Sequence, residues 1–403
     1  MAGLIVAAAA AAQIAFLWAA PKGRPPEKPT DFVVYYEPVA RSILAGEGIT
    51  RHGGPAVRYP PGFPAALAGI FWGAGRLGVA DAAAVTAVNV AAAALSAALV
   101  FLVAQIIFGT RVGVWAALLW ATYPLNLWLS REPNSEVFFI PLVLAGAYLW
   151  LRAAPRAGRG GALAAGAAWG AAALVRPAGL FLPFAAAAGQ LVFPGSRRPA
   201  RMVAAGITLA AFAAAVAPWV IYAGRATGRF VPLSVGGPPT IINGLSFTAT
   251  RTTPAWPAVP AGVRALGARV AARTPTPASW RGLAACVADE ARREPGAFAA
   301  LVALKMARSW YGTDDSPYER YLFFIQAAYL ALAAAGAVVA FRRYPDRRPA
   351  MAGLAVAVAG FYLAAVTGLS IVRYMVPAMA FVLVFAAVPA AAVFRRRERA
   401  GRR

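Results

Sequence analysis

The chain has 403 residues, of which 60% are hydrophobic and only 13% charged, where soluble domains carry about 25% charged residues. Its net charge of +24 comes from basic residues set beside apolar runs, without an aromatic–basic RNA motif or zinc-finger spacing. Those charges are read as setting topology and touching anionic lipid, not as binding nucleic acid. One cysteine, Cys286, and one histidine, His52, exclude an internal disulfide framework, a CxxC site and a histidine-rich metal site.

Crossing a bilayer core of roughly 30 Å takes about 20 apolar residues per helix. Such runs lie near 2–20, 81–107, 112–129, 136–151, 161–175, 178–193, 202–222, 321–341, 350–369 and 375–394. They predict an all-α polytopic membrane protein of about ten transmembrane helices. The runs are continuous and Ala/Leu-rich, not alternating, which argues against a barrel. Lacking a basic leader, the first span is read as a retained anchor and not a signal peptide. The 161–193 pair is short and broken by Arg176–Pro177. The stretch 64–79, interrupted by Gly73 and Gly75 and carrying Arg76, is read as a half-inserted or interfacial helix.

Arginine density orients the chain. "RAAPRAGR" (152–159), "SRRPAR" (196–201), "RRYPDRR" (342–348) and the basic tail at 395–403 are expected on the cytoplasmic side together with both termini. Of the acids, only Asp346 and Glu398 fall in these segments. Two outward segments remain, a first loop at 21–80 with interfacial helices and a Pro/Gly-rich loop at 223–318 before the eighth span. The second ends in an amphipathic, interfacial helix carrying Phe298, Leu301 and Met306, with Trp310 as an anchor. Residues 1–403 are read as one integrated membrane domain.

Four outward clusters carry chemistry. In "TDFVVYYEP", a helical spacing sets Asp31 and Tyr35 on one face, near Glu37. Two readings of Asp31 stand: a general base with its pKa lifted by desolvation, or a helix cap. In "VRYPPGFP", Arg58 and Tyr59 precede prolines that impose an extended turn. In "SREPNSEVFF", Pro133 suits a first helical position, with Glu132 and Glu136 at the positive end of the helix dipole. Finally, Arg176 in "ALVRPAGL" and Arg373–Tyr374 in "SIVRYMVP" put guanidinium groups at span edges. There they either bind phosphate or snorkel to the interface.

The order of these motifs, an acid after the first span, then "YPPGFP", "SE", "RP" and "RYMVP", resembles the GT-C superfamily of membrane glycosyltransferases. In particular it resembles the bacterial branch similar to protein-O-mannosyltransferases and the lipid A aminoarabinose transferase. The stretch 217–244 is also similar to the segment after that family's seventh span. One departure is that relatives often carry an Asp-Glu pair in the first loop, where this chain has Asp31–Phe32.

The resemblance implies a GT-C-like fold and a polyprenyl-phosphate sugar donor. The acceptor hydroxyl would be on a glycan, a lipid or a protein at the outer face of a cell inner or plasma membrane. Asp31 would be the base of an inverting transfer, with Glu132 or Glu136 as a second acid orienting sugar or acceptor. Tyr35, Glu37, Arg58, Tyr59, Arg176, Arg373 and Tyr374 would bind substrate, the arginines on the phosphate. Some relatives use a divalent metal; the sparse outward carboxylates here do not demand one. Two alternatives remain, a polysaccharide polymerase or ligase, and a transporter or lipid flippase.

Overall fold

A computed structural model describes residues 1–20 and 30–400, with side chains through 392. Residues 21–29 of the first loop and the side chains of the basic tail lie outside the described residues. The chain is helical almost throughout. Helix α1 (Ala2–Ala19) is followed, at the described Thr30 onward, by a π-helical turn at Phe32–Tyr36 that runs into α2 (Glu37–Leu44). A two-strand hairpin, β1 (Thr50–Arg51) with β2 (Gly54–Pro55), closes through His52 and Gly53, both at positive φ. That is the backbone a two-residue hairpin turn asks for.

Helix α3 (Gly62–Leu77) begins right after Tyr59–Pro60–Pro61. Its first residue has to be glycine, because a Cβ at Gly62 would stand 2.6 Å from the Leu174 carbonyl oxygen. The bundle then follows as α4 (Asp81–Phe108), α5 (Thr110–Ala121), α6 (Pro124–Leu129), α7 (Ser135–Ala153), α8 (Arg159–Val175), α9 (Leu182–Val192) and α10 (Arg198–Thr227). After the 228–318 segment come α16 (Glu319–Arg343), α17 (Arg348–Thr367) and α18 (Val376–Ala400). Among the described residues seven helices are long and apolar enough to cross a membrane.

Lipid gives helices no hydrophobic reason to associate, so close packing through small residues has to hold them. The α8–α10 contact follows that rule. Gly166 and Gly170, four apart on α8, lie directly against Thr208 and Ala215 of α10, leaving no room for side chains. Larger groups fill the centre, with Trp120, Tyr123, Phe139 and Phe361 fully buried.

Where the elements differ from expectation, proline explains most of it. The 112–129 run is two helices, because Pro124 cannot continue the hydrogen-bond ladder and Tyr123 turns out to bond Gln326 at 2.9 Å. Pro133 is not the first helical residue: Asn134 is the N-cap and α7 starts at Ser135. The terminal piece of the second long segment expected outside is two helices broken at Glu294–Pro295, α14 (Trp280–Arg293) and α15 (Pro295–Arg308). They join α11 (Gly237–Leu245), α12 (Phe247–Thr250) and α13 (Ala261–Ala271) around a core of Val263, Leu266, Leu283 and Leu301. The Pro/Gly-rich segment is thus a small helical layer with a core separate from that of the bundle.

The ends of the bundle are distinct. Arg176, Ser135, Gly368 and Arg373 mark one end. The connections 154–158, 193–197 and 344–347 lie at the other, where Gly195 packs on the Pro155 carbonyl and Tyr344 on Phe108. The arginine-rich turns therefore gather opposite the acids singled out above.

Candidate active site

Helix α7 opens with Asn134–Ser135–Glu136, which puts Glu136 in the first turn, 1% exposed, at the helix end. A buried carboxylate needs cations. Two arrive from distant segments. Arg373, on a 3₁₀ turn at Val372–Met375, grips Glu136 with both Nε and Nη2, the latter at 2.8 Å. Arg176, at the C-terminal end of α8 where Pro177 stops the helix, reaches Glu136 Oε2 at 2.8 Å and donates to Ser135 Oγ at 2.8 Å. Its guanidinium lies over the Tyr374 ring, 5.3 Å from the centroid.

Local backbone aims Arg373. Ser370, fully buried, sits at φ 57 and bonds Ala365 O through its amide at 3.0 Å; Val372 N–H donates to Gly312 O at 2.8 Å. A non-glycine residue held in the left-handed region next to a functional side chain is a known form of stored strain.

An aromatic cluster connects Asp31 to this pair. Asp31 caps no helix N–H; its exposed carboxylate accepts from Tyr59 Oη at 3.3 Å. Tyr35 Oη in turn accepts the Tyr59 amide at 3.3 Å, so the π turn presents Asp31 and Tyr35 to the same residue. Tyr36 packs on Tyr59 at 5.3 Å and on Phe63 at 4.9 Å. Burial, then the charge of Asp31, keeps the Tyr59 phenol above its usual range, so it remains a donor. The charges of Arg176, Glu136 and Asp31 all bear on Tyr36. Single-turn π-bulges are often found at functional sites.

A cavity of about 1130 Å³ opens beside Arg373. Its lining is largely apolar, with Phe16 of α1, Leu125 and Trp128 of α6, and Leu322 and Ile325 of α16. The lining also includes Arg373, Asp314 and Asp315, and the nearly closed Arg308. Asp31 is not among the cavity's lining residues, while its charge reaches Asp314. Burial pushes the Asp314 carboxyl above the usual range, against the pull of Arg373 and Arg251.

The remaining candidates separate clearly. Glu37 pairs with Arg41, which also holds Asp81 at 2.6 Å, on the outer face of α2. Arg58 lies over the Tyr59 ring at 5.3 Å, and its carbonyl accepts from Ser234 Oγ at 2.6 Å. Glu132 is exposed, its carbonyl taken by Asn89 Nδ2 at 3.1 Å, so of the two candidate acids Glu136 is the one that meets the arginines. Among the described residues no three His, Cys, Asp or Glu side chains gather as a metal site.

Sequence reasoning missed Ser135, Asp314 and a second buried cluster, in which Glu319 holds Arg308 at 2.9 Å and Arg251 at 3.1 Å. The signal available was "GTDDSPYER" at 312–320, acids placed directly before a span.

The bundle, with its long apolar helices, puts the chain in the class of multi-pass helical membrane proteins. Within that class, residues 60–222 match the family described as dolichyl-phosphate-mannose-protein mannosyltransferase. Among solved structures the chain is similar to the archaeal oligosaccharyltransferase AglB from Archaeoglobus fulgidus, determined with an inhibitory peptide and a dolichol-phosphate. That match has 15% identity and a TM-score of 0.63, over 98% of this chain and 50% of that one. The apo form of the A. fulgidus enzyme matches at 14% identity and TM-score 0.63, over 98% and 51%. The chain thus spans about half the length of these structures. ArnT from Cupriavidus metallidurans in the apo state matches at 18% identity and TM-score 0.44, over 96% and 76%. No curated protein sequence matches the chain significantly.

Proposed function

We propose that this protein is a membrane glycosyltransferase that moves a hexose or pentose from a polyprenyl-phosphate donor to an acceptor hydroxyl. The carrying observation is the cavity, whose lining combines apolar residues such as Phe16, Leu125 and Ile325 with Arg373. An isoprenoid chain fits the first and its phosphate the second. Arg373 and Arg176 together exceed the single charge of Glu136, so the site keeps net positive charge for an anion. The dolichol-phosphate in the AglB structure is the same class of ligand.

The acceptor oxygen attacks the anomeric carbon from the face opposite the phosphate. The bond from that carbon to the phosphate oxygen breaks, the lipid phosphate leaves with the electron pair, and configuration inverts. Asp31 takes the acceptor proton, steadied by the Tyr59 hydroxyl. Arg373 and Arg176 offset charge growing on the leaving phosphate, while Glu136 acts by holding both arginines in place. The arginine-rich turns at the far end of the bundle favour an extracytoplasmic site, with both termini cytoplasmic in a cell membrane.

The test is release of polyprenyl phosphate by the purified, detergent-solubilised protein given polyprenyl-phosphate sugars and hydroxyl acceptors. Asp31→Asn is expected to keep donor affinity and lose about 10²–10⁴-fold in turnover. Turnover equal to the parent's removes Asp31 from the base role.

A further inference from the structure

Of the acids in and around the cavity, three have their carboxylates committed. Glu136 is held by Arg176 and Arg373. Glu319 takes Arg251, Arg308, and the amides of Thr313 at 2.9 Å and Trp256 at 2.8 Å. Asp315 accepts from the Thr252 amide at 3.0 Å and the Thr253 amide at 2.6 Å. Asp314 is different. It lines the cavity with Arg373, its side chain opens to solvent there although protein atoms crowd around the carboxyl, and among the described residues that side chain makes no hydrogen bond or ion pair.

Its backbone, by contrast, is clamped from both sides. Arg251 Nη1 donates to the carbonyl of Asp314 at 3.0 Å and to that of Thr313 at 2.6 Å. Arg308 Nη2 adds a bond to the Thr313 carbonyl at 3.2 Å, and Asp315 is pinned as above. A rigid backbone carrying an uncommitted carboxylate is the arrangement expected of a group reserved for a ligand. A ligand anion belongs on Arg373, so the part of the ligand that meets Asp314 has to be a hydrogen-bond donor. On a phosphate-linked sugar, those donors are the hydroxyls.

We propose that Asp314 is a substrate-binding residue that accepts hydrogen bonds from the hydroxyls of the donor sugar while Arg373 holds its phosphate. This assignment rests on the glycosyltransferase reading and adds the residue that reads the sugar. It divides recognition between two side chains: Arg373 for what every polyprenyl phosphate shares, Asp314 for what only the glycosylated form carries. It also puts the sugar between Asp314 and Asp31, where an acceptor approaching Asp31 meets the anomeric carbon.

The experiment compares two ligands on the full-length protein in detergent: bare polyprenyl phosphate, and a panel of polyprenyl-phosphate hexoses and pentoses. For the parent, at least one glycosylated lipid is expected to bind more tightly than the bare phosphate. Asp314→Asn and Asp314→Ala are expected to lower affinity for that donor about tenfold or more, the scale of a hydrogen bond to a charged group. Affinity for bare polyprenyl phosphate should stay within about twofold, which also reports that the variants are folded. Equal losses for both ligands, or no loss for either, overturn the assignment. So does a parent that binds every sugar no better than the bare phosphate. A parent that binds no polyprenyl phosphate at all overturns the glycosyltransferase reading itself, and this assignment with it.

Discussion

Glu136 and Glu319 are each one carboxylate between two arginines, yet they differ in what the arginines can do. Around Glu136 the acid is 1% exposed while Arg176 and Arg373 are 18% and 31% exposed. Around Glu319 everything is closed: the acid is 2% exposed, Arg251 4% and Arg308 1%. Glu319 also takes two backbone amides, and Arg308 stacks on Phe247 at 4.4 Å. The first cluster shields the acid and leaves Arg373 open to the cavity. The second shields all three groups and fastens the small helical layer of α11–α15 to the start of α16. The same residue types can bind or brace, and accessibility of the guanidinium decides which.

The comparison is most exposed to a pair of substitutions. Glu319→Gln removes the charge that balances two buried arginines, and breaking such a pair costs about 3–5 kcal/mol. Thermal unfolding in detergent should show that loss, centred on the α11–α15 layer. Arg373→Lys keeps the charge near Glu136 and gives up the planar fork, so stability should hold while affinity for polyprenyl phosphate falls about tenfold. If Glu319→Gln spares stability and weakens the ligand, the two clusters have been assigned the wrong way round.

A smaller effect concerns the joint between the α11–α15 layer and α17. Lys305 of α15, 3% exposed, donates to the carbonyls of Gly244 at 3.1 Å and Gly368 at 2.6 Å. Burial, then the charge of Arg308, brings its pKa down to about 7. The unfolded lysine titrates near 10.4. Between those values the unfolded chain binds the extra proton, so stability should rise with pH, by at most about 1.4 kcal/mol per unit. Below the folded pKa both states are protonated and this group adds no slope. Lys305→Met should flatten the rise; a variant with the parent's pH dependence would contradict the buried-amine account. The smallest effect is expected at Glu37, already paired with Arg41 at a partly exposed surface. Glu37→Gln should change stability by no more than about 0.5 kcal/mol and leave donor affinity alone. A large loss of affinity would bring Glu37 back into the site.

How much was legible beforehand depended on the range of the interaction. Arg176 and Arg373 stood out singly, as charges at span edges, but their meeting on Glu136 joins residues 237 apart in the chain. Glu132 and Glu136 looked equivalent until Asn134 proved to be the N-cap, which leaves one acid on the turn and carries the other inward. The second segment expected outside read as a Pro/Gly-rich loop because its helices run only 4 to 14 residues. Helices that short draw their stability from a shared core and not from propensity, and a core cannot be seen in composition.

Taken alone, the amino-acid order determined that this chain belongs in a membrane as helices, and at which end its basic turns gather. Both follow from local rules: backbone groups in lipid must bond within their own segment, and arginines resist crossing. Only tertiary structure decided which charges neutralise one another, which stay open to the cavity, and that Asp314 and Arg373 line the same one. Those are questions of distance and burial, and only the packing of remote segments sets either.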